Sequence, residues 1–270
     1  MKKSKEKKII TKKSGRLIFA ALIAVFMITG VIAAYNIIST QRSYSAAQDE
    51  YAELRQWAPA TATQTPDGSY NSNDNDNEAQ VSETEQESAA GSTHTPMPDL
   101  SILNPDYIGW IRIDGTAIDY PIVQGTDNVK YLTTTFMGKR NPSGTIFLDS
   151  ECTNGFNGFS LLHGHNMRDG SMFAGLHSFR DDDFSDKHSE ITIFLPDGEA
   201  LVFVIFDVII SDIYDPVFNL PIEGQEAFTN YFKDYDQVGQ YVRDRSGILV
   251  LTTCTNGHRN ERLLIFAVQI

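Results

Sequence analysis

Three residues of this chain have side chains that together could carry out acyl transfer: His165, Cys254 and Arg262. Each stands at one end of an apolar run of the kind that forms a β-strand. A cysteine thiolate is a nucleophile, and a nearby imidazolium or guanidinium favours the thiolate over the thiol. A histidine can protonate a leaving amine and later deprotonate an incoming one, and an arginine can donate hydrogen bonds to an oxyanion. These residue types at strand ends predict a thiol acyl-transfer site.

The C-terminal segment, residues 247–270, has the pattern of two apolar strands joined by a polar loop over residues 255–261. Cys254 ends the first strand and Arg262 begins the second. If the strands pair antiparallel, the two side chains meet at one end of the hairpin, with Cβ atoms about 4.5–5.5 Å apart. The sequence therefore predicts a thiol beside a guanidinium.

The choice of histidine remains open from the residues alone. The chain has six histidines, and spacing does not distinguish His165 from His163, His188 or His258. A cysteine on a strand is also more often a small buried apolar residue than a nucleophile. The order of the chain excludes one class of enzyme, since His165 precedes Cys254, whereas papain-like peptidases place the cysteine first.

Eight apolar runs rich in β-forming residues follow residue 99 and would position this site: 107–113, 117–123, 144–148, 159–163, 190–195, 201–211, 247–253 and 262–270. Turn sequences such as Pro196-Asp197-Gly198 separate them. Many short strands in one domain indicate a closed barrel or a sandwich. Two helical stretches interrupt the strands, at 172–179 and at 222–243, the second with a stripe of aromatic residues that we interpret as core packing.

The N-terminal part of the chain predicts a membrane anchor. A basic lead over residues 1–16 precedes residues 17–38, which carry no charge and are long enough to cross a bilayer as a helix. The basic lead is expected to stay in the cytoplasm, which places the rest outside the cell; a cleaved signal peptide is the alternative. Residues 39–98 are expected to form a helical stalk and then a disordered polar linker, and residues 99–270 the catalytic domain.

The net charge and the cysteine content limit the possible partners and disulfide bonds. The formal net charge is −13, and the part after residue 38 carries 14 basic and 34 acidic residues, which disfavours nucleic acid as a partner. Two cysteines are too few for a disulfide framework. A single Cys152–Cys254 bridge is the alternative to one reactive thiol and one incidental cysteine.

Several segments closely resemble sortases, the cysteine transpeptidases of Gram-positive surfaces, and class B among them. They are NPDYIGWIRIDGTAIDYPIVQ (104–124), SGTIFLDS (143–150), GHNMRDGSMFAGL (164–176), LTTCT (251–255) and RLLIFA (262–267). The resemblance implies a mainly β fold: an eight-stranded sortase-type β-barrel with a few peripheral helices, among them one before the barrel, within about residues 96–106, and a long one before the Cys254 strand that matches 222–243. It also implies that His165, Cys254 and Arg262 are the catalytic residues.

The resemblance further implies a two-step reaction at the cell membrane. Cys254 would attack the carbonyl of Thr in a sorting motif near the C-terminus of a surface protein, and an amine of peptidoglycan or of its lipid-linked precursor would resolve the thioester. Thr252, Thr253, His163 and Asn166 are the predicted substrate-binding residues. His163 departs from the family, which commonly has Tyr at that position. No metal and no organic cofactor are implied.

Three other functions compete with this interpretation. A pilin-polymerising sortase, which joins subunits through Lys, is the main alternative. Its class usually has an N-terminal lid, which Asp215-Pro216-Val217-Phe218 resembles only superficially because it lies inside the domain. A cell-wall L,D-transpeptidase would need a histidine almost adjacent to Cys254. A membrane-tethered binding module, with Cys254 as a core residue, would have an inert thiol.

Overall fold

The computed structural model describes residues 2–59, 99–220, 225–235 and 247–270. The eight predicted strands are all present: β1 (Tyr107–Arg112), β2 (Asp119–Val123), β3 (Ile146–Leu148), β4 (Phe159–His163), β5 (Glu190–Phe194), β6 (Ala200–Asp212), β7 (Ile248–Cys254) and β8 (Glu261–Gln269). The helices are α1 (Lys2–Arg55), α2 (Asp182–Ser185) and α3 (Gln225–Tyr231), with five short 3₁₀ segments among the described residues.

The strands form one closed barrel in the order β1-β2-β3-β4-β7-β8-β6-β5. Most neighbours are antiparallel, and β5 and β6 meet at the predicted Pro196-Asp197-Gly198 turn. Two neighbouring pairs are parallel, β2 with β3 and β4 with β7. Because parallel strands end at the same edge of a sheet, the residues that follow β4 and β7 come together at one end of the barrel.

The core of the domain is filled with large apolar side chains. Trp110, Phe147, Phe203 and Phe266 are almost completely buried. Burial of each such side chain contributes about 2 kcal/mol relative to exposure. The core therefore holds the strand ends, and the side chains on them, in fixed positions.

The aromatic stripe predicted over 222–243 packs as expected, but its helix is shorter. The rings of Phe228 and Phe232 are buried, and Phe232 lies 6.1 Å from the ring of Phe266 on β8. The prediction of an unbroken helix is wrong over residues 232–235: α3 ends at Tyr231. The chain turns there, and the Tyr235 hydroxyl donates to Asp207 on β6. Residues 222–224 and 236–243 of the prediction lie outside the described residues.

The other predicted helices are 3₁₀ segments. The stretch predicted over 172–179 is a 3₁₀ helix, Phe173–Arg180, directly after the segment that contains His165. The helix implied within residues 96–106 is a single turn, Leu100–Ile102.

The first helix reaches further and packs more closely than the sequence analysis expected. Its segment from Leu17 onward is, by length and composition, able to cross a membrane, with a mean hydropathy of 2.7 in its most apolar window. Its last turns do not form an isolated stalk. Ala47, Tyr51 and Leu54 lie on one face and are buried against the barrel, and the Tyr51 hydroxyl donates to the Gly144 carbonyl across 2.6 Å. The predicted linker begins at Ala58, which packs against the core; its residues 60–98 lie outside the described residues.

Candidate active site

The terminal hairpin is formed as predicted and juxtaposes Cys254 and Arg262. The two are direct cross-strand partners in the β7–β8 register. The predicted loop is shorter by one residue, since Glu261 already belongs to β8 and pairs with Asp212 on β6. Since β8 pairs with β7 on one side and with β6 on the other, the backbone of Arg262 is held from both sides.

The parallel pairing of β4 with β7 brings His165 to the same place. His163 is the register partner of Thr252. Beyond the last paired residues, the Gly164 N–H donates to the Thr252 carbonyl, and the Thr253 hydroxyl donates back to the Gly164 carbonyl across 2.8 Å. His165 and Cys254 each lie two positions beyond the His163–Thr252 pair, so the register directs both to one end of the barrel.

A groove of about 400 Å³ joins the three residues. His165, Cys254 and Arg262 all line it, so the structure brings the three candidate residues together. Its apolar walls come from four side chains that sequence reasoning did not select: Leu132, Phe147, Ile213 and Phe218. A groove with apolar walls and several convergent polar side chains suits an extended peptide whose reacting carbonyl is placed beside the thiol.

The imidazole of His165 is oriented by a main-chain carbonyl. Its Nε2 lies 2.8 Å from the Leu132 oxygen. A carbonyl oxygen only accepts hydrogen bonds, so Nε2 carries the proton in the neutral ring and Nδ1 is the nitrogen with a lone pair. This tautomer leaves Nδ1 able to take or give a proton during a reaction.

The guanidinium of Arg262 is held by its own loop. Nη1 donates to the carbonyl oxygens of Arg259 and Glu261, at 3.2 and 3.0 Å. An arginine has five N–H donors, so those on Nε and Nη2 are left to bind an anion. The arrangement can therefore orient positive charge toward an oxyanion without using all of its donors.

The two cysteines differ in the way that a single reactive thiol requires. Both are free, which excludes the bridge between them. Cys152 is buried, and burial raises its thiol pKa to about 12, so it stays protonated near neutral pH. Cys254 is only partly buried and lies in the groove. Cys254 is thus the thiol positioned for chemistry.

Comparison with known proteins agrees with this geometry. A sequence profile described as the Sortase domain matches residues 111–270, which is more than half of the chain. The chain belongs to the sortase family.

The relatives of this sortase are class B members. It is 34% identical over 176 residues to Sortase B of Listeria monocytogenes, which covers 61% of this chain and 69% of that protein. The crystal structure of Clostridium perfringens Sortase B superposes with a TM-score of 0.56 at 33% identity, over 63% of this chain and 97% of that one. A Streptococcus pyogenes class B sortase involved in pilus biogenesis superposes with the same TM-score at 29% identity, over 66% and 100%. The class B resemblance found in the sequence is confirmed.

His163, where this sortase departs from the usual Tyr, is tied to a carboxylate. Its Nε2 lies 2.9 Å from Asp149 Oδ2, and its ring stacks on Phe147 with centroids 5.0 Å apart. Burial opposes the ionised form of Asp149, but hydrogen bonds from His163, the Glu151 N–H and Asn128 together lower the Asp149 pKa below its ordinary value. His163 therefore forms part of the groove wall, held by Asp149, a partner that the sequence did not indicate.

The remaining predicted substrate-binding residues occupy different positions. Thr252 and Thr253 line the groove, whereas Asn166 does not line it and its amide donates to Asn256 across 3.3 Å. The buried Thr252 hydroxyl has no hydrogen-bond partner among the described residues. An unpaired buried hydroxyl in a peptide groove is a ready partner for a bound main chain.

One functional contact was missed altogether. His177, on the 3₁₀ helix after the His165 segment, has its Nε2 3.1 Å from the Cys254 carbonyl oxygen. No local sequence pattern predicts this contact, because it depends on how the 3₁₀ helix packs across β7. No cluster of three or more His, Cys, Asp or Glu side chains able to hold a metal ion occurs among the described residues.

Proposed function

We propose that this chain uses Cys254, His165 and Arg262 to perform the cysteine transpeptidation of a class B sortase on proteins that bear a C-terminal sorting motif. In the first step the Cys254 thiolate attacks the carbonyl carbon of the motif's Thr. The bond from that carbon to the next residue's nitrogen breaks, and the imidazolium of His165 protonates the departing amine. The product is a thioester on Cys254.

In the second step an acceptor amine attacks the thioester. His165 takes the proton that the amine loses, a new amide bond forms, and the Cys254 thiolate leaves. Each step passes through a tetrahedral intermediate with a negative oxygen, to which the free donors of Arg262 give hydrogen bonds. Loss of one such donor typically costs about 10²–10³ in rate.

The single observation that carries this proposal is the convergence of three side chains from β7, β8 and the segment after β4 on one groove. A core cysteine of a binding module would resemble Cys152, which is buried and has a raised pKa. Cys254 instead shares the groove with an oriented imidazole and an arginine with donors to spare.

The proposed setting is the outer face of the membrane. Helix α1 would anchor the chain with its N-terminus in the cytoplasm, and the acceptor would be an amine of peptidoglycan or of its lipid-linked precursor. A pilin lysine is the alternative acceptor. Presenting a peptide thioester with a cross-bridge amine and, separately, with a pilin-type lysine peptide distinguishes the two by the conjugate that forms.

The test is cleavage of a small peptide library, Leu-, Asn-, Ser- or Pro-Pro-x-Thr-x, by residues 39–270. This fragment retains the part of α1 that packs on the barrel, which residues 99–270 would lack. We expect cleavage after Thr, a thioester adduct on Cys254 seen by mass spectrometry, and no turnover by Cys254→Ala. Cys152→Ala is the matched control and should retain turnover. Unchanged cleavage by Cys254→Ala would overturn the assignment.

A further inference from the structure

The junction between α1 and the barrel lies close to the expected membrane surface. The apolar stretch ends at Ile38, and the first hydrogen bond to the barrel is at Ser43, whose carbonyl accepts from the Asn141 side chain across 2.7 Å. At 1.5 Å per residue, Ser43 is about 7 Å above the end of the apolar stretch. The headgroup layer on each side of a bilayer is about 5–7 Å thick. The barrel is therefore held against the headgroups rather than away from them.

Two arginines flank this contact, one on each element. Arg42 precedes Ser43 on α1, and Arg140, which forms an isolated antiparallel bridge with Thr134, precedes Asn141. Both are exposed, and the ion pairs among the described residues include neither of them. Arg42 is about 6 Å from the end of the apolar stretch, within the headgroup layer.

The nearby acids do not neutralise these arginines. Glu50 is buried, accepts the Met137 N–H, and pairs with Lys139 at 3.3 Å. The exposed Asp49 follows Arg42 by two helical turns, about 10 Å further along the helix. Two cations outside the ion pairs of the described residues, one on each element of the Ser43–Asn141 contact, thus remain in a region that follows residue 38 and is otherwise strongly acidic.

We propose that Arg42 and Arg140 together bind the phosphates of anionic phospholipids in the outer leaflet, and so fix the barrel against the membrane. The inference rests on the proposal that α1 crosses the membrane. It does not depend on the chemistry of Cys254. Guanidinium groups bind phosphate oxygens by paired hydrogen bonds, and basic residues beside a membrane helix are attracted to anionic headgroups.

The experiment uses the full chain in phosphatidylcholine vesicles. A fluorophore is attached at Met137→Cys in a Cys254→Ala background, because Cys152 is buried and stays unlabelled in the folded chain. One vesicle sample contains a trace of phosphatidylglycerol with a nitroxide on its headgroup, and a second contains the same amount of nitroxide-labelled phosphatidylcholine. The nitroxide quenches the fluorophore more strongly when its lipid is enriched near the protein. We expect at least about twofold stronger quenching by the anionic lipid.

The preference should disappear in Arg42→Glu/Arg140→Glu, and weaken in the milder Arg42→Gln/Arg140→Gln pair. It should persist in Arg180→Glu, a charge reversal at an exposed arginine elsewhere on the barrel. Equal quenching by the two lipids, or a preference that survives the double reversal, overturns the proposal. Loss of the preference on adding glycerol phosphate at the same concentration as the lipid headgroups overturns it in favour of a site for free phosphates. Vesicle flotation tests the membrane anchor separately. A chain that does not float with the vesicles contradicts the proposal that α1 crosses the membrane, and with it the lipid contact that rests on that proposal.

Discussion

The imidazole of His177 contacts the main chain at the end of β7: its Nε2 donates a hydrogen bond to the Cys254 carbonyl oxygen across 3.1 Å. The contact restrains the backbone of the residue that we propose as nucleophile, without touching the thiol. His177 is therefore a positioning residue in this arrangement.

We expect His177→Leu to lower kcat for peptide cleavage about fivefold, because one hydrogen bond of about 1 kcal/mol no longer restrains β7. KM should change little, since His177 does not line the groove. His177→Gln, which retains a donor, should recover part of the loss. His188→Leu is the control, since His188 packs on Phe184 instead. An equal fall in both leucine variants would contradict the positioning role.

The Asp149–His163 pair predicts an acid-dependent contribution to stability. The pKa of Asp149 is lowered in the folded protein, so the unfolded chain binds more protons as the medium is acidified. The contribution is present above the unfolded pKa of about 3.9 and is lost as pH falls through the lower, folded value.

Asp149→Asn should lower the free energy of unfolding near neutral pH by about 1–3 kcal/mol, because it weakens buried hydrogen bonds. Its stability should then decline less steeply below about pH 4 than that of the parent. Urea unfolding of residues 39–270 across this range measures both effects. Parallel pH profiles for parent and variant would exclude the linkage.

The unpaired hydroxyl of Thr252 predicts a separation of stability from activity. Thr252→Val replaces the hydroxyl with a methyl of similar size and leaves no new unpaired group. We expect the free energy of unfolding to stay equal or rise, while kcat/KM for peptide cleavage falls several-fold, about 1 kcal/mol of transition-state binding. Thr253→Val, which loses the bond to Gly164, should instead destabilise the fold. Full activity in Thr252→Val would show that the substrate does not use this hydroxyl.

The packing of α1 on the barrel predicts that Tyr51 stabilises the catalytic domain. Tyr51→Ala removes a buried ring that lies edge-on to Tyr120 at 5.3 Å, and should cost about 3 kcal/mol. Tyr51→Phe loses only the hydrogen bonds to Gly144 and Thr145, at about 1 kcal/mol. Thermal unfolding of residues 39–270 measures both, with Glu53→Ala, at an exposed position of α1, as control. Identical melting of Tyr51→Ala and the parent would mean that α1 does not dock in solution.

The parts of this protein that were predictable from sequence depend on short-range patterns. The Cys254–Arg262 pair follows from a hairpin whose two strands are neighbours in the chain, and the strands follow from the alternation of apolar runs and turns. Choosing His165 among six histidines required resemblance to a family, because the β4–β7 register that selects it joins strands far apart in the chain. Asp149 and His177 escaped prediction for the same reason. The stripe of Ala47, Tyr51 and Leu54 was visible at helical spacing, but the surface that it packs against begins only after the long polar linker.

Docking of α1 on the barrel also bears on the distance between the groove and the bilayer. If α1 crosses the membrane as we propose, its contacts with the barrel through Ser43, Glu50 and Tyr51 mean that a few helical turns set the reach of the groove. The length of the chain between α1 and β1 then has no bearing on that reach. This sortase would accordingly work on substrates delivered at a fixed height, and would accept insertions between positions 60 and 98 without loss of access to them.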